Sequence, residues 1–117
     1  MGAPVAFFDI TSSDPAKISG FYTQLFDWTV SDGPGGYSMV DTGNGEGAVG
    51  GGIGGVQGPD DKTGITLYVR VDDLTAYLAK AEKLGAKTVM PPMELPGGYG
   101  SIAVIADPDG NPFGLWA

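Results

Sequence analysis

The same order of segments occurs twice in this chain, displaced by 59 positions, and two like modules satisfy that pattern most simply. In the first copy, Pro4–Ile10 is apolar and rich in β-formers. Thr11-Ser12-Ser13-Asp14-Pro15 then supplies an N-cap candidate with proline at the first helical position. Ile18, Phe21, Tyr22 and Leu25 follow at the spacing that lines four apolar groups along one helical face. Strand-like runs at Trp28–Ser31, Tyr37–Thr42 and Ala48–Val56 complete a βαβββ order, divided by turns such as Asp32-Gly33-Pro34-Gly35-Gly36.

The pattern restarts after the polar break Gln57–Lys62. Ile65–Val71 alternates strictly, Asp72 is placed to cap a helix carrying Leu74, Tyr77, Leu78 and Ala81, and Gly85 is placed to stop it. Strands are expected at Lys87–Met90, Gly100–Ala106 and Phe113–Ala117, the last after the turn Asp107-Pro108-Asp109-Gly110-Asn111. The displacement pairs Phe7 with Thr66, Asp14 with Asp73, Leu25 with Leu84, Thr29-Val30 with Thr88-Val89 and Gly55 with Gly114. The expected fold class is α+β. Two βαβββ modules, 1–57 and 64–117 with a linker at 58–63, would build a curved mixed sheet within a single domain spanning 1–117, with helices outside and a ligand cup inside.

Composition narrows the chemistry. Glycine and proline together number 30 (21 and 9), which points to many turns, while a hydrophobic share of 42% still supports a core. The net charge of −8 repels phosphate backbones and anionic lipid headgroups, so neither nucleic acid nor a membrane surface is an expected partner. No apolar stretch is long enough to span a membrane and no leader is read at Met1–Ala6, so the expected location is the cytoplasm. The absence of cysteine and histidine removes thiol nucleophiles, imidazole bases and the usual ligands of zinc, iron and copper.

Strand parity then assigns faces. Ala6, Phe8 and Ile10 are expected under the first helix, with Val5, Phe7 and Asp9 opposite. Ile65, Leu67, Val69 and Val71 form one apolar face, leaving Thr66, Tyr68 and Arg70 on the other. Phe113, Leu115 and Ala117 face the core, and Pro112, Gly114 and Trp116 face away. The candidate ligand contacts are Phe7, Asp9, Tyr37, Thr66, Tyr68, Arg70 and Trp116. No metal ligand, cofactor or catalytic residue is assigned. Asp9 and Arg70 are expected to orient a polar ligand or to satisfy each other, and Trp28 to pack in the core.

Two motifs lack their context. Gly50–Gly55 contains G-x-G-x-x-G, but Gly58-Pro59-Asp60 follows where a nucleotide loop needs a helix, so a kinked or bulged strand is expected. Asp107–Asn111 starts like a calcium loop, yet Pro112 occupies the position of that loop's glycine, so a tight turn is expected. Pro91–Gly98, stiff at Pro91-Pro92 and hinged at Gly97-Gly98, is expected as a loop that closes over the cup or serves as a rigid connector.

The βαβββ repeat, Ser13-Asp14-Pro15 with Phe21-Tyr22 and Leu25-Phe26-Asp27-Trp28, Val71-Asp72-Asp73-Leu74, and Asp107–Trp116 (DPDGNPFGLW) together resemble the vicinal oxygen chelate superfamily across essentially the whole chain. That superfamily holds glyoxalase I, bleomycin- and fosfomycin-resistance proteins and extradiol dioxygenases. The resemblance implies metal ligands at Phe7, Gly55, Thr66 and Gly114, none of which can ligate normally. It also implies a homodimer, and it includes metal-free members that sequester a drug in the cleft between subunits. The expected function is therefore metal-independent binding of a small aromatic or cationic molecule. The alternative is a lyase, isomerase or dioxygenase with an atypical site, using carboxylates of Asp9, Glu94 or Asp41 on an ion, or metal-free proton transfer by Asp9 and Tyr68. A third reading has the cup filled by side chains and the protein associating with another protein.

Overall fold

The computed structural model describes residues 2–43, 47–59 and 61–117; Asp60 of the expected breaker and linker lies outside the described residues. Among the described residues there are eight strands and two α-helices in the order βαβββ, βαβββ, the mixed α+β arrangement read from the repeat. No helix among them is long and apolar enough to cross a membrane. The chain forms two compact units, Phe7–Ile65 and a second made of Met1–Ala6 with Thr66–Ala117.

In the unit Phe7–Ile65, β1 (Val5–Ser12) leads to α1 (Pro15–Phe26), β2 (Thr29–Asp32), β3 (Ser38–Asp41) and β4 (Gly50–Gly55). The strands lie in the order β2-β3-β4-β1, with β4 parallel to β1 and antiparallel to β3. Asp14 caps α1 by accepting from Lys17 N, and Pro15 opens the first turn. Ile10, Val40 and Ile53 are buried, and Phe8, Ile18, Tyr22, Trp28 and Val30 pack on them. Trp28 thus has the core role expected of it, with ring centroids 5.5 Å from Phe8 and 5.4 Å from Tyr22.

The helical stripe is displaced from its expected position. Pro15, Ile18, Ser19 and Tyr22 turn inward, whereas Phe21 and Leu25 of the expected stripe stay exposed. Both stripes share Ile18 and Tyr22, and a helix resting on a small core buries only a narrow arc.

The second unit places β5 (Gly64–Arg70), α2 (Leu74–Lys83), β6 (Lys87–Glu94), β7 (Ser101–Ala106) and β8 (Pro112–Trp116) in the strand order β5-β8-β7-β6. β5 runs parallel to β8; the other two pairings are antiparallel. Leu74, Leu78, Val71, Ala103 and Leu115 form its buried core, with Tyr77 and Val69 against it.

Three expectations change here. The cap of α2 is Asp73, which accepts from Ala76 N at 3.1 Å, not Asp72. The apolar face of β5 is covered only toward Val71, while Ile65 and Leu67 remain exposed, because the ten-residue α2 packs over Val71, Ala103 and Leu115. β6 also continues through Pro91-Pro92 to Glu94, so half of the expected loop is strand. An edge position with register shifts between Thr88, Met90 and Met93 accommodates prolines that cannot donate to a ladder. Pro96–Gly98 forms a short 3-10 turn after it.

Candidate functional site

Each unit carries a polar and aromatic face on the side of its strands away from the helix, built from a tyrosine laid across glycine. In the unit Phe7–Ile65, alternation along β1 sends Phe8 and Ile10 to the core and Asp9 to the other side, where its register partner is Gly52 of β4. Tyr37, just before β3, lies across Gly52 and Gly54. A Cβ on either glycine would come within 3.0 Å of its ring, so only glycine admits this approach. The Tyr37 hydroxyl donates to Asp9 Oδ1 at 2.5 Å. Burial pushes the Asp9 carboxyl up, the Tyr37 hydroxyl pulls it down, and Asp61 raises it further.

Gly51 has the opposite role. A Cβ there would strike the ring of Phe8 on the core side. Gly50–Gly55 is therefore neither a nucleotide loop nor the kinked or bulged strand expected from its glycines. It is a strand paired on both sides, and Gly51, Gly52 and Gly54 make room for rings on its two faces.

In the second unit, Tyr68 on β5 is the register partner of Gly114 on β8, and its ring occupies the space a Gly114 side chain would need. Two residues on, Arg70 is opposite Trp116, and its guanidinium carbon stands 4.4 Å from the centre of the indole ring. The indole Nε1 donates to Tyr99 O at 2.7 Å, which fixes the ring's orientation. Tyr99 was absent from the candidate list, because a backbone carbonyl leaves no mark in sequence. Thr66 is half-buried on the same strand face as Tyr68. Asp9 and Arg70 thus each have a partner in their own unit, the Tyr37 hydroxyl and the Trp116 ring.

Of the four positions where the superfamily resemblance would place ligands, one must be moved. Gly55 faces the helix, since a Cβ there would lie 3.6 Å from Pro15 Cγ. Register identifies the counterpart of Gly114 as Gly52: Asp9 pairs with Gly52 as Tyr68 pairs with Gly114. The last strands are therefore offset by 62 positions while the first strands keep 59, so a rigid slide of the sequence lands on the wrong face. The corrected positions are Phe7 and Gly52 in the unit Phe7–Ile65, and Thr66 and Gly114 in the second unit. The first unit offers there a phenyl and a bare glycine under the Tyr37 ring, and the second a hydroxyl and a bare glycine under the Tyr68 ring, none of them a normal side-chain ligand set for a divalent ion.

Of the carboxylates considered as alternatives, Asp41 accepts from Gly43 N in a turn, and Glu94 is exposed at the end of β6. Among the described residues, no group of three or more His, Cys, Asp or Glu is gathered as a metal site. Asp107–Asn111 is the tight turn expected. Its Asp107 carboxylate accepts from Asn111 Nδ2, Asn111 N and Asp109 N, and the Asn111 bonds hold the carboxyl below its ordinary value.

Residues 6–116 match the glyoxalase-like domain family, and the chain belongs to it. It is 38% identical to the anthracycline biosynthesis protein DnrV of Streptomyces peucetius, over 98% of this chain and 46% of that protein. The chain spans about half the length of the curated relatives it matches. Its fold is also that of methylmalonyl-CoA epimerase from Mycobacterium tuberculosis (TM-score 0.72, 14% identity, 96% of this chain and 85% of that one). A glyoxalase/bleomycin resistance/dioxygenase superfamily member from Vibrio splendidus 12B01 aligns similarly (TM-score 0.66, 13% identity, 97% of each chain).

Proposed function

We propose that this chain binds a planar aromatic small molecule without a metal ion, as the sequestering members of its superfamily do, and that the molecule is of the anthracycline class. The observation that carries the reading is the pair of tyrosines lying across Gly52 and Gly114, where a metal-using relative would need ligand side chains. In the unit Phe7–Ile65, Phe7 and Tyr37 supply stacking surfaces; in the second unit Tyr68 and Trp116 supply stacking surfaces, Thr66 a hydroxyl and Arg70 a planar cation, the groups that hold flat conjugated rings. The name of the Streptomyces peucetius relative supports the ligand class. The proposal includes a cytoplasmic homodimer, supported by the exposed Phe21, Leu25 and Phe26 of α1 and tested by light scattering on the eluting protein.

The binding test is a titration with daunorubicin, following the fluorescence of Trp116 in a Trp28→Phe background. Saturable quenching and a raised melting temperature are expected, and Trp116→Phe in the chain that keeps Trp28 should reduce that rise in melting temperature. No binding up to about 0.1 mM, a free energy weaker than about −5.5 kcal/mol, overturns the proposal.

A further inference from the structure

Among the described residues the Asp9 carboxylate has a neighbour that orders it and none that is seen to neutralise it. Tyr37 donates to Oδ1 at 2.5 Å, and among the described residues the charged group acting on Asp9 is Asp61, an acid. Tyr37 cannot drift from that bond, because its ring is seated on Gly52 and Gly54. The surrounding protein is poor in cations, with Lys+Arg 6 against Asp+Glu 14. A half-buried anion without a counter-ion is costly, and the cost falls when a cation arrives from outside. A carboxylate with one oxygen ordered by a phenol is what a protonated amine binds well. The carboxylate supplies the charge and the phenol hydroxyl holds it in place.

We infer that Asp9 and Tyr37 form the seat of an ammonium group on the ligand, so that the chain selects planar aromatic molecules bearing a protonated amine over neutral ones of the same shape. The inference rests on the proposed binding of an aromatic small molecule and adds the charged group that decides among such molecules. Asp9 is the specificity determinant: its Oδ2 accepts from the amine while Oδ1 keeps the Tyr37 hydroxyl. Tyr37 positions the carboxylate through its hydroxyl.

The test is calorimetric titration of the full chain with daunorubicin, which carries a protonated amine, and with N-acetyldaunorubicin, which does not. The wild type is expected to bind the amine about ten-fold or more tightly than the amide, the usual scale for a charge-assisted contact in a partly buried site. Asp9→Asn should bring the two affinities together by weakening only the amine. Tyr37→Phe, which keeps the ring, should retain a smaller preference. Melting temperatures of both variants establish that they are folded, and the wild-type comparison needs no variant at all. Equal wild-type affinities, or a preference that survives Asp9→Asn, overturns this inference and leaves the binding proposal standing. Failure of the wild type to bind either compound overturns both.

Discussion

Gly52→Ala isolates the idea that glycine in β4 exists to admit a ring. The new Cβ would fall inside the 3.0 Å that real Cβ atoms respect, against the Tyr37 ring, where ordinary contact begins at 3.4 Å. The ring must withdraw by roughly 1 Å to restore normal packing. That movement strains a bond of 2.5 Å to Asp9 beyond useful length. Overpacking of this kind costs about 1–3 kcal/mol. The weakened bond to a partly exposed carboxylate adds about 1 kcal/mol, and the better strand entropy of alanine returns about 0.5–1 kcal/mol. The net expectation is a loss of about 1–3.5 kcal/mol, or about 4–18 °C in melting temperature for a chain of 117 residues.

The control lies in the same strand. A Cβ on Gly50 would sit 3.4 Å from Val40 O, so Gly50→Ala should be neutral within about 0.5 kcal/mol. Urea denaturation of Gly52→Ala, Tyr37→Ala and the double variant closes a thermodynamic cycle, and with the ring gone the alanine should cost nothing. A Gly52→Ala as benign as Gly50→Ala, or a cost undiminished without Tyr37, refutes the reasoning.

Two further outcomes follow from the local geometry. Asp73→Ala should lower stability by about 1 kcal/mol in the same denaturation assay, while Asp72→Ala should change it little, since the α2 cap bond is made by Asp73 alone. Asp107 has its carboxyl held low in the folded turn, so its contribution is complete above the ordinary carboxylate value and disappears as pH falls through the lowered one. The melting-temperature gap between wild type and Asp107→Ala should accordingly be constant near neutrality and narrow in acid, and a gap that widens in acid contradicts the assignment.

How much of this was legible in the sequence depends on whether a feature is periodic or relational. Alternation along β1 puts Ile10 in the core and Asp9 on the opposite face, and alternation along β5 and β8 brings Tyr68 over Gly114 and Arg70 over Trp116. A period of two needs no knowledge of neighbours. The caps at Asp14 and the stop at Gly85, with φ of 103°, are equally local. The displaced stripe on α1 is different in kind. Ile18 and Tyr22 fit two overlapping stripes, and the choice between them is made by the size of the core beneath.

The glycines of β4 show most clearly why the site was read only in part. In sequence, glycine within a strand signals weakness, a bulge or a nearby ligand, and all three readings assume that the glycine acts for itself. Gly52 and Gly54 instead act for Tyr37, which precedes them by a turn and a strand, and no local pattern links the three. The same blindness misplaced the family's ligand position. A constant slide of 59 pairs Gly55 with Gly114, but three additional residues before β8 in the second module shift the register, and a shift by an odd number exchanges the two faces of a strand. Register, in which Asp9 lies opposite Gly52 and Tyr68 opposite Gly114, restores the equivalence. It strengthens the argument that began with parity: in both modules the position that would carry a metal ligand is a glycine, and in both a phenol ring occupies the space.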